Sequence, residues 1–138
     1  MLLFRKLLDW NRMGKGPTIT LEAGHTAPDF QLETVEGGRR SLDSILAEGP
    51  ALVAFYKVSC PTCQLTLPYL ERLRGGSFQI FTICQDEADR AQEFGDVFDV
   101  HLPNLLDKAG DGYPVSNAYG ITHVPAMFLI EPDRRISW

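Results

Sequence analysis

Phe55-Tyr56-Lys57-Val58-Ser59-Cys60-Pro61-Thr62-Cys63 is the stretch whose reading decides the fold. It continues Ala51-Leu52-Val53-Ala54, so residues 51–56 form an unbroken apolar run of strand length after a Gly49-Pro50 stop. A run with no polar alternation predicts a central strand covered on both faces. Pro61 suits the first position of a helix, where its missing N–H would be unpaired in any residue. That helix is expected to reach Arg74 and stop at Gly75-Gly76, with Leu65, Tyr69, Leu70 and Leu73 on its buried side. Cys60 then stands at a helix N-terminus, where free N–H groups and the helix dipole favour a thiolate and so a nucleophile. Cys63, one turn along, is placed to reach back and resolve a mixed disulfide.

A Cys-x-x-Cys pair is also half of a zinc site. No second pair follows, however, and Cys84, His25, His101 and His123 lack the local spacing of a finger. No metal is therefore expected. A second element, Gly120-Ile121-Thr122-His123-Val124-Pro125, runs straight into the apolar stretch Ala126–Ile130. Alone, Pro125 reads as a trans proline starting a strand. Beside a Cys-x-x-Cys pair it reads as cis, which would open the backbone of Val124 to an extended substrate.

Working outward, Phe30 and Leu32 alternate with Asp29 and Gln31, Glu36-Gly37-Gly38 makes a turn, and residues 40–42 resume, which predicts a β-hairpin. Ser41 or Asp43 is expected to cap a brief helix through Leu46. Phe78 to Cys84 is a second apolar strand, and Asp86 to Phe98 a charged amphipathic helix. His101 to Asp107 reads as a short extended insert, and Tyr113 to Tyr119 as one or two helical turns ending at Gly120. Met127 to Ile130 is a third strand, and residues 131–134 turn the chain back towards Ile136 and Trp138. Strands alternating with helices and closing on a hairpin return give an α/β sandwich around a mixed sheet.

At 138 residues the chain supports one globular domain. Its net charge of -5, from 18 acids and 13 bases, offers no broad basic field to phosphates, so nucleic acid is not an expected partner. Three cysteines are too few for a stapled scaffold and point to chemistry. In residues 1–18, Leu3, Leu7 and Trp10 sit at helical spacing, and Gly14-Lys15-Gly16-Pro17-Thr18 breaks that helix into a linker; the main domain is expected over 19–138. The apolar face of this helix is expected to pack on its own domain or on a second copy as a homodimer, in preference to a membrane surface. Arg5, Lys6 and Asp9 interrupt any signal-like run, and nothing approaches a transmembrane span, so a cytoplasmic location is expected.

The 55–63 motif, Pro68 five residues after Cys63, and the Tyr119-Gly120-Ile121 to Val124-Pro125 stretch together resemble the thioredoxin superfamily. Ala27-Pro28-Asp29-Phe30-Gln31-Leu32, preceded by Gly24, is similar to the entry hairpin of its TlpA-like and redoxin (AhpC-TSA-like) branch, and Cys-Pro-x-Cys with Leu67-Pro68 to its MauD group. The resemblance covers Ile19 to the end. It implies a thioredoxin-like sandwich with an added N-terminal hairpin and helix, and with the C-terminal strand and helix truncated, since only Ile136, Ser137 and Trp138 remain for them. It implies thiol-disulfide exchange, with Cys60 as attacking thiolate, Cys63 as resolving thiol, Pro68 as a helix kink, and substrate contacts at Pro61, Thr62, Val124 and a cis Pro125. It implies no cofactor; the partners would be disulfide or dithiol proteins, small thiols, and a reducing or oxidising protein.

The chain departs from that pattern at Ser59, where relatives commonly carry tryptophan, and at Ala54, where many carry a buried acid or amide. A rival resemblance is the peroxiredoxin-like thiol peroxidase, whose reacting cysteine has a threonine or serine three residues earlier. Here that position is Lys57 for Cys60, and Cys60 itself for Cys63. The other rival is non-enzymatic copper handling like the Sco group, with His123 completing the pair. Cys84 reads as a core cysteine or a third redox thiol, and Lys57 as a solvated loop lysine or a charge that favours the Cys60 thiolate.

Overall fold

In the computed structural model, which describes residues 21–138, the chain runs through β1 (Gln31–Thr34), β2 (Arg39–Ser41), α1 (Leu42–Leu46), β3 (Ala51–Tyr56), α2 (Pro61–Arg72), β4 (Gln79–Cys84), α3 (Ala88–Phe98), β5 (Asn104–Leu106), α4 (Pro114–Ala118) and β6 (Ala126–Ile130). The six strands form one sheet in the order β2-β1-β5-β4-β3-β6. β3, β4 and β5 are mutually parallel, while β1 and β6 run antiparallel to their neighbours. This is the thioredoxin-like α/β architecture. The expected N-terminal helix and linker, residues 1–18, and the homodimer contact through Leu3, Leu7 and Trp10 lie outside the described residues.

β3 is buried at all six positions, and its two-residue period sorts the core into two layers. Ala51, Val53 and Phe55 join Leu42, Ile45, Ile83, Tyr119 and Phe128 on the face covered by α1 and α4. Leu52, Ala54 and Tyr56 join Cys63, Leu67, Leu70, Ala91 and Phe94 on the face covered by α2 and α3. Each large apolar side chain taken from water contributes about 1.5–3 kcal/mol, so this strand anchors both layers. At its C-terminal end lies the loop that carries Cys60.

Local chemistry explains the ends of the elements. Ser41 caps α1 by accepting the Ser44 N–H at 3.1 Å, and the Ser44 hydroxyl returns to the Ser41 N–H, a reciprocal capping box. α2 ends two residues earlier than the sequence suggests, at Arg72, with Leu73 as its cap.

Two of the sequence expectations do not hold in the structure. The buried side of α2 is Cys63, Leu67 and Leu70; Leu65 is 79% exposed, Tyr69 60% and Leu73 42%. Apolar residues occur on both sides of this helix, so spacing alone could not choose the face that meets β3. The stretch His101 to Asp107 is more than an insert, because its β5 lies inside the sheet, pairing Leu106 with Cys84 on one side and with Glu33 on the other. At the sheet's other edge residues 136–138 pair with β6, through the Ile130–Ile136 bridge and the bond from the Leu129 N–H to the Trp138 carbonyl at 2.8 Å.

Candidate active site

The parallel strands β3 and β4 end together, with Tyr56 opposite Cys84. The loop after β3 is held from below and from the side. The Val58 N–H donates to the Asp86 carboxylate at 2.8 Å, and the Gln64 side-chain amide donates to the Val58 carbonyl at 2.9 Å. The Cys60 N–H closes the turn onto the Lys57 carbonyl at 3.3 Å. Cys60 is thereby fixed as the cap of α2, with extended backbone (φ -84°, ψ 114°) and Pro61 in the first helical turn.

Cys60 is half-buried, whereas Cys63 is fully buried beneath it. The Cys63 N–H donates to the Cys60 sulfur at 3.2 Å, which is the bond a capping side chain makes. Burial pushes the Cys63 thiol up, and its hydrogen bond to the Cys60 sulfur pushes in the same direction. Across the gap, the Cys60 thiol reaches the Val124 carbonyl at 3.7 Å, and the Val124–Pro125 peptide bond is cis, as the resemblance implied. Cys60, Cys63, Val124 and Pro125 are thus brought to one place. Pro61 and Thr62 lie exposed at the start of α2.

Cys84 stands in the same buried layer as Cys63. It is wholly buried, and burial pushes its thiol up to about 11. That agrees with a core cysteine. The Lys57 ammonium sits 5.7 Å from the centre of the Tyr113 ring. His123 is exposed, its Nδ1 3.1 Å from the Thr122 hydroxyl. Among the described residues, no three His, Cys, Asp or Glu side chains gather as a metal-ligand set.

The pattern missed a buried polar support behind the site. Asp107, 0% exposed, accepts from the Val115 N–H at 3.1 Å and from the Ser116 N–H and hydroxyl, both at 2.6 Å. Gln85 donates to the same hydroxyl at 2.9 Å. These bonds fix the first turn of α4, whose chain leads into the Gly120–Pro125 loop. No local motif marks Asp107, which follows the short strand β5.

Comparison with known proteins now bears on this geometry, because the AhpC/TSA family model matches residues 23–138. The chain belongs to the AhpC/TSA family. It is similar to the thiol:disulfide interchange protein DsbE of Vibrio cholerae, 31% identical over 137 residues that cover 95% of this chain and 72% of the relative. It is also similar to the thiol-disulfide oxidoreductase ResA of Bacillus thuringiensis, 27% identical over 121 residues that cover 84% of this chain and 68% of the relative. The crystal structure of the thioredoxin domain of a Bacteroides vulgatus thiol-disulfide oxidoreductase shares the fold, with a TM-score of 0.74 at 22% identity, covering 85% of this chain and 86% of that one. This AhpC/TSA member is a thioredoxin-like thiol-disulfide oxidoreductase in its general activity. Among its described residues no helix is long and apolar enough to cross a membrane.

Proposed function

We propose that Cys60 and Cys63 are the redox pair of this oxidoreductase and exchange disulfides with protein or small-thiol partners that dock across Pro61, Thr62, Val124 and Pro125. The observation that carries the reading is the half-exposed Cys60 sulfur, which receives the Cys63 N–H at 3.2 Å and faces the Val124 carbonyl at 3.7 Å. In the reduced protein the Cys60 thiolate attacks one sulfur of the partner disulfide. A Cys60–partner S–S bond forms as the partner's own S–S bond breaks, and the first partner thiolate takes a proton from water. Cys63 then loses its proton and attacks the Cys60 sulfur. The second partner thiolate leaves, and two electrons have passed from the pair to the partner. In the opposite direction the same steps oxidise a dithiol, with a separate reducing or oxidising protein restoring the pair.

The test is reduction of insulin or oxidised glutathione by the reduced full chain, beside its consumption of hydrogen peroxide. Disulfide reduction should dominate and vanish in Cys60→Ser. Rapid peroxide consumption without disulfide reduction would replace this reading with the peroxidase one. Lys57, three residues before Cys60, supplies no hydroxyl to position peroxide. The cytoplasmic location, and the packing of residues 2–13 on the sheet or on a second copy as a homodimer, belong to the same proposal; they are checked by fractionating cells and by melting and sedimenting the chain with and without residues 1–16.

A further inference from the structure

Beside Cys60 the surface opens into a cavity of about 240 Å³, lined by Lys57, Tyr113, Asn117, Thr122, His123 and Val124 among others. Its wall carries no Asp or Glu. The protein as a whole has a net charge of -5, so a cavity walled by a lysine and a histidine is a local reversal. Among the described residues the Lys57 ammonium has no ion pair, and the Tyr113 ring at 5.7 Å is its neighbour. Tyr113 holds a left-handed backbone (φ 50°, ψ 54°) that a bulky residue adopts at a cost. The contact of His123 Nδ1 with Thr122 leaves its other ring nitrogen unpartnered among the described residues. The nearby carboxylates are engaged elsewhere: Asp107 is turned into the N–H groups of α4, and Asp86 holds the Val58 N–H.

Position decides what such a cavity is for. Val124 lines it and also offers its carbonyl to the Cys60 thiol at 3.7 Å, so cavity and nucleophile share one residue. On the docking proposed above, a partner whose sulfur reaches Cys60 runs past Val124 and brings its next side chain to the cavity. At about 240 Å³ the cavity is smaller than the ~300–1,000 Å³ of whole-ligand pockets, and suits one side chain.

We propose that this cavity is a specificity subsite for an acidic side chain beside the exchanged cysteine of a peptide substrate, its carboxylate received by Lys57 and His123. Tyr113 steadies the Lys57 ammonium by a cation–π contact until the carboxylate arrives. The subsite rests on the redox role of Cys60, and the experiment separates the two.

Two disulfide-bonded peptides that differ only in Glu or Gln next to the cysteine are offered to the reduced full chain, and kcat/KM is measured for each. The Glu peptide should be preferred roughly fivefold, mainly through KM, the size expected of one partly solvated charged contact. The preference should disappear in Lys57→Gln and in about 1 M salt, where the screening length falls to ~3 Å. Lys57→Glu should instead favour a peptide carrying Lys at that position. Equal kcat/KM for the two peptides in the unaltered chain overturns the subsite. So does a preference that survives Lys57→Gln, even if that variant slows both peptides through the Cys60 thiolate. Oxidised glutathione, compared with neutral hydroxyethyl disulfide, shows whether a small carboxylated disulfide gains as much; a gain there without one for the Glu peptide also overturns the proposal. If neither peptide is reduced, the redox reading itself falls and takes the subsite with it.

Discussion

The backbone N–H of Cys63 points at the sulfur of Cys60 from 3.2 Å, while the side chain of Cys63 is itself completely buried. One helical turn therefore gives two thiols opposite environments. The outer sulfur receives a free N–H of the helix start, which favours negative charge, and the inner one is cut off from water. In the reduced protein iodoacetamide should modify Cys60 at least about tenfold faster than Cys63, the thiolate being the reacting form. Cys63→Ser should accumulate mixed disulfides on Cys60. Mass spectrometry of tryptic peptides reads both, and faster labelling of Cys63 would reverse the assignment.

The inner thiol must still lose its proton to resolve the mixed disulfide. Burial pushes it up, and Ala54, 1% exposed in the same layer, provides no carboxylate to take the proton. Below a raised pKa the thiolate fraction grows tenfold for each pH unit. Single-turnover resolution of a trapped mixed disulfide should therefore accelerate about tenfold per unit from about pH 6 to about pH 8. A profile that is flat across this interval would reveal an internal base acting on Cys63.

Most of this site could be read because its signals are local. Cys60, Pro61 and Cys63 lie within four residues, and Pro125 directly precedes an apolar strand. The errors came where tertiary partners decide. Leu65, Tyr69 and Leu73 have the right spacing for a core stripe, yet β3 meets the flank bearing Cys63, Leu67 and Leu70. β5 has three residues, too few for periodicity to register, and becomes a strand because β4 and β1 border it on both sides. Asp107 and Lys57 gain meaning only from the Ser116 and Tyr113 groups brought to them across the fold.

The corrected face of α2 has a direct consequence for stability. Leu67 is 0% exposed and Leu65 79% exposed, though both are leucines in one helix. Leu67→Ala should cost about 2–5 kcal/mol, the transfer energy plus the cavity left behind. Leu65→Ala should change stability by no more than about 0.5 kcal/mol. Urea unfolding of the reduced chain measures both. Equal losses would mean that both sides of the helix are covered.

Cys84 supplies the last test, through the dependence of stability on pH. Its thiol is wholly buried opposite Tyr56 and pushed up from an ordinary 9.0 to about 11, chiefly by burial. Below about pH 9 the group is protonated in both the folded and the unfolded chain, so its full contribution to stability is present. As pH rises past that point the unfolded chain releases the proton while the folded one retains it, and unfolding gains. The contribution is lost once pH has passed about 11. Cys63, also pushed up by burial, adds to the same fall in the reduced protein. The buried hydroxyls of Tyr56 and Tyr119 are pushed up too, from 10.0, and act at the alkaline end of the range and beyond. Cys84→Ala should begin less stable near neutral pH, because a packed sulfur is lost, by roughly 1 kcal/mol. Its deficit should then shrink as pH climbs from about 9 to about 11, since the variant has no thiol to hold neutral. Calorimetric melts of the reduced protein and the variant across that interval show the two curves converging if burial controls Cys84. Curves that stay parallel would mean that the Cys84 thiol titrates alike in the folded and unfolded chain, and would remove the burial argument for it as a core residue.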